Sequence, residues 1–136
     1  MNRKMIALLV TMLALSVTAC KKDNQINAVM KDLDAFTTEL VAKVEKSANA
    51  PSGLDEAQKF LDSKKAEMKS KLESIKKVRG FQIGEETKKT MTDSITKNVT
   101  SVAQLQIKYV QLSVKDAAFK AKLDKLINDY TQLLKS

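Results

Sequence analysis

The residue types that carry most enzyme chemistry are scarce in this sequence. Its 136 residues include no histidine and a single cysteine, Cys20. The lack of histidine excludes serine–histidine triads, histidine acid–base catalysis and histidine-ligated zinc or haem. One cysteine cannot form an internal disulfide or a CxxC site. The sequence therefore predicts a non-enzymatic protein that holds no metal and no soluble cofactor.

The carboxylates and methionines also have simpler explanations than catalysis or metal binding. Many acidic residues precede a lysine by four positions, which is typical of solvated ion pairs on helices. No acidic cluster has the spacing of a calcium loop, and the segment Gly80–Gly84 lacks the ending of a phosphate loop. Met30, Met68 and Met91 are interpreted as core residues, since no histidine accompanies them.

The one reactive thiol, that of Cys20, ends an N-terminal targeting segment. Arg3 and Lys4 precede an apolar stretch that covers residues 5–17. This stretch is shorter than the roughly 20 apolar residues that a membrane-spanning helix needs, and it suits the apolar region of a signal peptide. We therefore expect residues 1–19 to be removed as a signal peptide.

The residues at the predicted cleavage site, Val17-Thr18-Ala19-Cys20, resemble the lipobox of bacterial lipoproteins. In that family a diacylglycerol is attached to the cysteine thiol, signal peptidase II cuts before the cysteine, and the new amine is usually acylated. The resemblance implies cleavage between Ala19 and Cys20, and a diacylglycerol and an N-acyl chain on Cys20. Val17 and Thr18 depart from the commonest lipobox residues, which are leucine and then alanine or serine.

Two other interpretations of Cys20 remain open at this stage. Val17 and Ala19 also satisfy the small-residue rule of signal peptidase I at the same bond, which would release a secreted protein with a free cysteine. A cysteine buried in the folded domain is the third interpretation. The position of Cys20 at the end of an apolar run, in a chain otherwise without cysteine, favours lipidation.

Lipidation of Cys20 predicts a protein of the bacterial cell envelope, with the lipid bilayer as its first partner. Several acyl chains anchor a protein far more firmly than one, and the adjacent Lys21 and Lys22 attract anionic headgroups. In Gram-negative lipoproteins an aspartate directly after the lipidated cysteine commonly retains the protein in the inner membrane. Since Lys21 occupies that position, resemblance to this rule implies the outer membrane.

The charge of the remaining chain predicts anionic partners. Without residues 1–19 the chain keeps 22 basic and 16 acidic residues, so its net charge falls from +8 to +6. An envelope protein or an anionic envelope polymer fits this charge and location better than nucleic acid does. The candidate anionic-partner face comprises Lys64, Lys65, Lys69, Lys76, Lys77 and Arg79. A solvated helix face explains the same lysines, and the sequence does not separate the two.

The periodicity of apolar residues predicts an all-α fold. Apolar residues recur at intervals of three and four over residues 23–44, 54–78, 85–113 and 116–134. The single proline and all three glycines fall in the two breaks at residues 48–53 and 79–84. We therefore predict an antiparallel up-down bundle of about four helices, formed by residues 26–136, after a short tether at residues 20–25.

The third predicted helix carries the most detailed expectations. Residues 105–109 alternate apolar and polar side chains as a strand would, but the surrounding helical period favours a helix. Ala103, Ile107 and Val110 widen its apolar zone, so we expect its second half to be deeply buried. The segment Ser113–Asp116 resembles a capping box for the last helix.

Hydroxyl side chains are concentrated on the polar part of this third helix. They are Thr87, Thr90, Thr92, Ser94, Thr96, Thr100 and Ser101. An exposed polar surface is the simpler interpretation, and a face that hydrogen-bonds a polymer or a partner protein is the functional one.

These observations predict a membrane-anchored envelope lipoprotein that acts as a non-enzymatic binding or structural module. The alternative is a periplasmic helical ligand carrier or chaperone with an apolar groove between its helices. A closed, well-packed bundle would favour the first function, and a large exposed apolar strip would favour the second.

Overall fold

The computed structural model describes the backbone of residues 3–47, 52–78 and 80–135, and the side chains of residues 22–46, 54–78, 80 and 82–135. The elements are α1 (Arg3–Ser47), α2 (Ser52–Lys76), a 3-10 helix (Gly80–Gln82), α3 (Glu85–Lys108), α4 (Val110–Lys115) and α5 (Ala117–Lys135). No strand occurs in these ranges, and the predicted all-α fold is confirmed. Over the same ranges, no helix offers a stretch long and apolar enough to cross a membrane.

Three helices bury the apolar face that their sequence period predicts. The buried residues are Ile26, Val29, Met30, Leu33, Phe36, Leu40 and Val44 on α1, Leu54, Ala57, Leu61, Met68, Leu72 and Ile75 on α2, and Phe119, Leu123, Leu126, Tyr130 and Leu133 on α5. Since members of each set mostly follow one another by three or four positions, one face of each helix points into the shared core. Burial of these faces provides the main driving force for folding.

Contacts between helices give the direction of each one. They are Gln25–Ser74 and Phe36–Phe60 between α1 and α2, Asp23–Gly84 and Glu45–Lys108 between α1 and α3, Asp55–Lys122 and Lys76–Lys135 between α2 and α5, and Gln106–Asp124 and Tyr109–Phe119 between α3 and α5. Residue numbers rise together in the α1–α3 and α2–α5 contacts, so those pairs are parallel. They change in opposite directions in the α1–α2 and α3–α5 contacts, so those pairs are antiparallel.

The neighbour relations differ from those of the simplest up-down bundle. α1 packs against α2 and α3, and α5 packs against α2 and α3, so α2 and α3 occupy opposite corners although they follow each other in the chain. Their connection crosses one end of the bundle, where its 3-10 helix contacts α1. We call this the entry end; residues 22–25, 74–84 and 135 meet there.

The third predicted helix is helical but shorter than expected. α3 continues through Lys108, so the strand interpretation of residues 105–109 is wrong. Tyr109 interrupts the helix with φ −107° and ψ 19°, and α4 follows. The buried Tyr109 ring meets Phe119 edge to face, with ring centroids 5.8 Å apart. The bend therefore lies where an aromatic side chain packs into the core.

The cap of the last helix is Asp116 alone. Asp116 has an extended backbone, and its Oδ1 accepts a hydrogen bond of 2.9 Å from the N–H of Phe119. This is the usual bond from an N-cap side chain to the third helical residue. The predicted capping box with Ser113 was wrong because Ser113 lies inside α4.

The predicted lysine pairs within helices form only in part. Lys43–Glu39 and Lys71–Glu67 are i,i+4 pairs with N–O distances of 3.5 and 2.8 Å. Elsewhere a neighbouring helix supplies the partner: Lys122 pairs with Asp55 and Lys97 with Asp34. Packing therefore rearranges several of the pairs that the isolated helices predict.

Candidate functional site

The predicted cleavage and lipidation residues, Ala19 and Cys20, belong to the backbone of α1, but their side chains lie outside the described part of the chain. α1 runs without interruption through residues 20–25, so these residues are helical rather than an extended tether. At 1.5 Å per residue, residues 21–25 span only about 7 Å. A lipid on Cys20 would therefore hold the entry end close to the membrane.

Two residues of the predicted tether belong to the bundle. Asp23 Oδ1 accepts a hydrogen bond of 3.0 Å from the N–H of Gly84, and Gln25 Nε2 donates one of 3.4 Å to Ser74 Oγ. These contacts join the start of the described side chains to the end of α2 and the start of α3. The entry end is thus fixed relative to the predicted anchor.

The candidate anionic-partner face does not form one continuous surface. Lys64 lies beside Glu67, 3.4 Å away, and lines a groove between α1 and α2. Lys69 lies 3.9 Å from Glu73 on the exposed side of α2. Because acidic side chains accompany these lysines, this part of α2 presents mixed rather than purely positive charge.

Other lysines of this face point toward α5. The pKa of Asp129 is lowered mainly by the hydrogen bond from Lys125, and the positive charge of Lys65 adds to this effect. Lys76 Nζ donates a hydrogen bond of 3.3 Å to the carbonyl oxygen of Lys135. These side chains therefore contribute to the junction between α2 and α5.

Part of the predicted face coincides with the entry end. Lys76 and Lys77 are exposed there together with Lys22, whereas Arg79 lies outside the described residues. Lys76 and Lys77 of the basic set therefore share the entry end with Lys22, which follows Cys20 by two residues. Cations in such a position are attracted to anionic headgroups.

The hydroxyl-rich part of α3 is not a single exposed surface. Thr87 and Ser94 are buried, which contradicts the simpler interpretation for those two residues. Thr92 and Ser101 donate hydrogen bonds to carbonyl oxygens of their own helix. The remaining exposed members are Thr90, Thr92, Thr96 and Thr100.

A polar cluster links α1 to α3 inside the bundle. Asp34 Oδ1 accepts hydrogen bonds from Ser94 Oγ at 2.7 Å and from Asn98 Nδ2 at 2.5 Å. Burial raises the pKa of Asp34, but these two bonds and the charge of Lys97, 3.8 Å away, outweigh it and hold the pKa below its ordinary value. The sequence did not predict this cluster, because Asp34 is about 60 positions from Ser94 and Asn98.

A second polar contact crosses the core from α1 to α5. The hydroxyls of Thr37 and Tyr130 lie 2.6 Å apart, and Thr37 Oγ1 also donates to the carbonyl oxygen of Leu33. Burial raises the pKa of Tyr130 to about 12, although the hydrogen bond with Thr37 opposes this. Because each polar group is satisfied internally, the contact specifies packing rather than chemistry.

Among the side chains that the structure describes, the main exposed apolar surface lies on α3 and α4. We call it the α3–α4 strip; its members are Val99, Ala103, Ile107, Val110 and Val114. Ile107 is 75% exposed and Val114 is 81% exposed. The expectation that Ala103, Ile107 and Val110 widen the buried zone was therefore wrong. By contrast, Val102 and Leu105 in the same half of α3 are buried. Exposed apolar patches are common at the contact surfaces of proteins.

A half-enclosed apolar cleft of about 250 Å³ lies between the ends of α2 and α5 and the first half of α3. Its described apolar lining consists of Leu72, Ile75, Val78, Met91, Ile95 and Leu134. Leu72 and Ile75 are buried, and Lys76 is the charged side chain among the described residues that line it. The cleft is adjacent to the entry end, whereas the α3–α4 strip extends away from it.

The described residues contain no group of three or more histidine, cysteine, aspartate or glutamate side chains placed to hold a metal ion. The features that remain are two apolar surfaces and the entry-end lysines. Comparisons of the chain with protein-family models, curated protein sequences and solved structures find no match.

Proposed function

We propose that this protein is a lipid-anchored, non-enzymatic binding module of the bacterial cell envelope. The lipobox-like segment supplies the anchor at Cys20, with a diacylglycerol on the thiol and an acyl chain on the amine. The short helical distance between Cys20 and the bundle keeps the entry end at the bilayer. Export to the outer membrane in a Gram-negative cell is part of the proposal and follows from Lys21.

The observation that carries the binding role is the α3–α4 strip. An exposed apolar strip was expected to favour the carrier function, but this one is open to water rather than enclosed between helices, so it suits the surface of a partner protein better than a small ligand. The aliphatic side chains of the strip are exposed on the outside of the bundle, whereas Val102 and Leu105 of α3 join the shared core. The strip ends at α4, at the opposite end from the Asp23–Gly84 contact. A protein held at its entry end would therefore present the strip to another envelope protein.

The anchor is tested by metabolic labelling with an alkyne-bearing fatty acid in a bacterial host. We expect the wild-type chain to carry the label and to sediment with membranes. Cys20→Ser should lose the label, leave the precursor uncut by signal peptidase II, and free the mature protein from the membrane if signal peptidase I cuts it. Thr18→Ser, which keeps the lipobox pattern, is the matched control. An unmodified Cys20 in the mass spectrum of the wild-type mature chain would refute the anchor.

The binding role is tested with a photo-crosslinking amino acid placed at Ile107 or Val114 in living cells. We expect a discrete cross-linked product at both positions. The same amino acid at the exposed Lys69 of α2 is the control and should give no such product. Equal cross-linking at all three positions would show that the strip is not a preferred surface.

A ligand carrier is the second candidate function, and the apolar cleft favours it. A groove between helices that holds an apolar ligand requires such an enclosed concavity. The α3–α4 strip offers a more open depression of about 390 Å³, lined by Val110, Gln111, Val114 and Lys115. The two functions therefore correspond to different surfaces of the same bundle.

A further inference from the structure

We propose that the apolar cleft binds the aliphatic chain of an anionic amphiphile, with Lys76 at its rim as the cation for the head group. This inference rests on the second candidate function and names its ligand class. The ligand chemistry is an unbranched hydrocarbon chain that ends in a carboxylate or a phosphate ester.

The first argument is the composition of the cleft. Its described lining is aliphatic apart from Lys76, and it includes the flexible thioether of Met91. Methionine adapts its shape to irregular apolar partners. Lys76 is the one charged side chain among the described lining residues, so an anionic head group would be attracted to this rim.

The second argument is size. An apolar cavity of about 150 Å³ binds a molecule as small as benzene, and drug-sized ligands occupy sites of about 300–1,000 Å³. A cleft of about 250 Å³ lies between these limits. It fits part of one hydrocarbon chain rather than a sterol or a pair of chains side by side.

The third argument is the origin of the cleft in the helix arrangement. α2 and α3 stand at opposite corners of the bundle, so their side chains do not close against each other directly. α5 reaches the gap only with Leu134, near its last turn. The gap is therefore a consequence of the topology and not of one small side chain.

The fourth argument is location. The Lys76–Lys135 and Asp23–Gly84 contacts place this part of the bundle at the entry end, a few helical residues from Cys20. A ligand that leaves the bilayer surface would meet the cleft first. The source of the chain is then either a free fatty acid or an anionic phospholipid.

The test uses the full chain, purified from bacterial membranes and reconstituted in vesicles of phosphatidylethanolamine and phosphatidylglycerol. Three probes carry the same photoreactive acyl chain: a fatty acid, a phosphatidylglycerol and a neutral fatty alcohol. After illumination, labelled residues are mapped by mass spectrometry. Flotation of the same vesicles measures membrane association separately, so a failure of the anchor is distinguished from a failure of the cleft.

We expect labels from an anionic probe to concentrate at Met91 and Ile95 rather than at Ile107 and Val114 of the α3–α4 strip. Labelling by the fatty acid alone identifies a free fatty acid as the ligand, and labelling by phosphatidylglycerol identifies a phospholipid; either supports the proposal. Labelling that is no stronger in the cleft than on the strip, or equally strong with the fatty alcohol, would overturn it.

Two substitutions separate the head-group contact from the apolar contact. Lys76→Gln should weaken cleft labelling about two- to fivefold, the effect of losing one exposed ion pair. Lys59→Gln removes the same charge from the other end of α2, away from both the cleft and the entry end, and should leave labelling unchanged. Ile95→Trp should fill the cleft and abolish labelling, while circular dichroism shows that the helices persist. Equal effects of the two lysine substitutions would contradict the role of Lys76.

Discussion

α1 and α3 lie side by side and parallel, yet they bury different kinds of surface. α1 turns a continuous aliphatic and aromatic face into the core. α3 buries Thr87, Ser94 and Asn98 as well as Val102 and Leu105, and it leaves Ile107 in water. The difference shows that an apolar period predicts the buried face of a helix, but not the polar residues buried with it or the flanking aliphatic residues left in water.

The polar partner on α1 accounts for the difference. Asp34 lies at the boundary with α3, and a carboxylate at such a place needs hydrogen-bond donors. Ser94 and Asn98 supply them, so α3 is turned with these donors toward α1. Once this face is fixed, the aliphatic residues of the α3–α4 strip point away from the core.

The largest effect on stability is expected in the aliphatic core that α1 shares with α2 and α5. Leu61 is fully buried on α2, and Leu61→Ala removes its contacts and leaves a cavity. We expect the free energy of unfolding to fall by about 2–5 kcal/mol. Chemical denaturation followed by circular dichroism measures it. A loss similar to that of a surface substitution would show that α2 is not held by this core.

A smaller loss is expected at the polar junction of α1 and α3. Asp34→Ala removes the acceptor of Ser94 and Asn98, and leaving buried donors unpaired costs about 1–3 kcal/mol. Asp34→Asn keeps an acceptor oxygen and should restore most of the loss. If the two variants were equally stable in denaturation, the hydrogen bonds would not be what fixes the face of α3.

The cap of α5 should contribute about as much as a typical N-cap. Asp116→Ala removes the acceptor of the Phe119 N–H and should lower stability by about 1 kcal/mol. Ser113→Ala is the matched control, because Ser113 lies inside α4, and it should change the unfolding midpoint little. A larger loss for Ser113→Ala would restore the capping-box interpretation.

The polar junction also predicts an acid dependence. The folded-state pKa of Asp34 lies below its unfolded value of 3.8, so its contribution is complete above that pH and is lost as the pH falls through the folded pKa. Unfolding free energies measured from pH 5 downward should therefore fall less steeply for Asp34→Asn than for the wild type. The control Asp55→Asn removes an exposed partner of Lys122. The same flattening in that control would assign the dependence to net charge.

The smallest effect on stability is expected on the α3–α4 strip. Ile107→Gln replaces a side chain that is 75% exposed, so the unfolding free energy should change by less than about 0.5 kcal/mol. The same substitution should reduce cross-linking from Val114 to an envelope partner. A stability loss as large as that of Leu61→Ala would show that the strip is covered in the folded protein.

The comparison of α1 with α3 also explains how far the sequence predicted the structure. For α1, α2 and α5 the period-based core residues, such as Leu33, Leu61 and Leu126, are buried as predicted. For α3 the period-based residues Val102 and Leu105 are buried as predicted, whereas Ile107, which was expected to widen the buried zone, is exposed. The hydrogen bonds that decide the face of α3 join residues about 60 positions apart, and local periodicity carries no information about them.

The candidate functional surfaces also differ in whether the sequence could predict them. The lipobox-like segment is local, so the prediction for Cys20 needed only four consecutive residues. The apolar cleft was not predicted, because residues such as Ile75, Met91 and Leu134 meet only when α2 and α3 occupy opposite corners of the bundle. The basic set on α2 was identified from the sequence. Only the packing shows that Lys64 lies on the side of α1 and Lys65 on the side of α5.

The sequence by itself determined the helices, the positions of the breaks between them and the predicted anchor. Each of these depends on residues within a few positions of one another, since backbone hydrogen bonds, caps and the absence of proline act locally. Tertiary structure alone decided which helices are neighbours, which face α3 buries and where the cleft lies. These depend on the connection at Gly80–Gln82 that crosses the entry end, and on a carboxylate at Asp34 whose donors come from another helix.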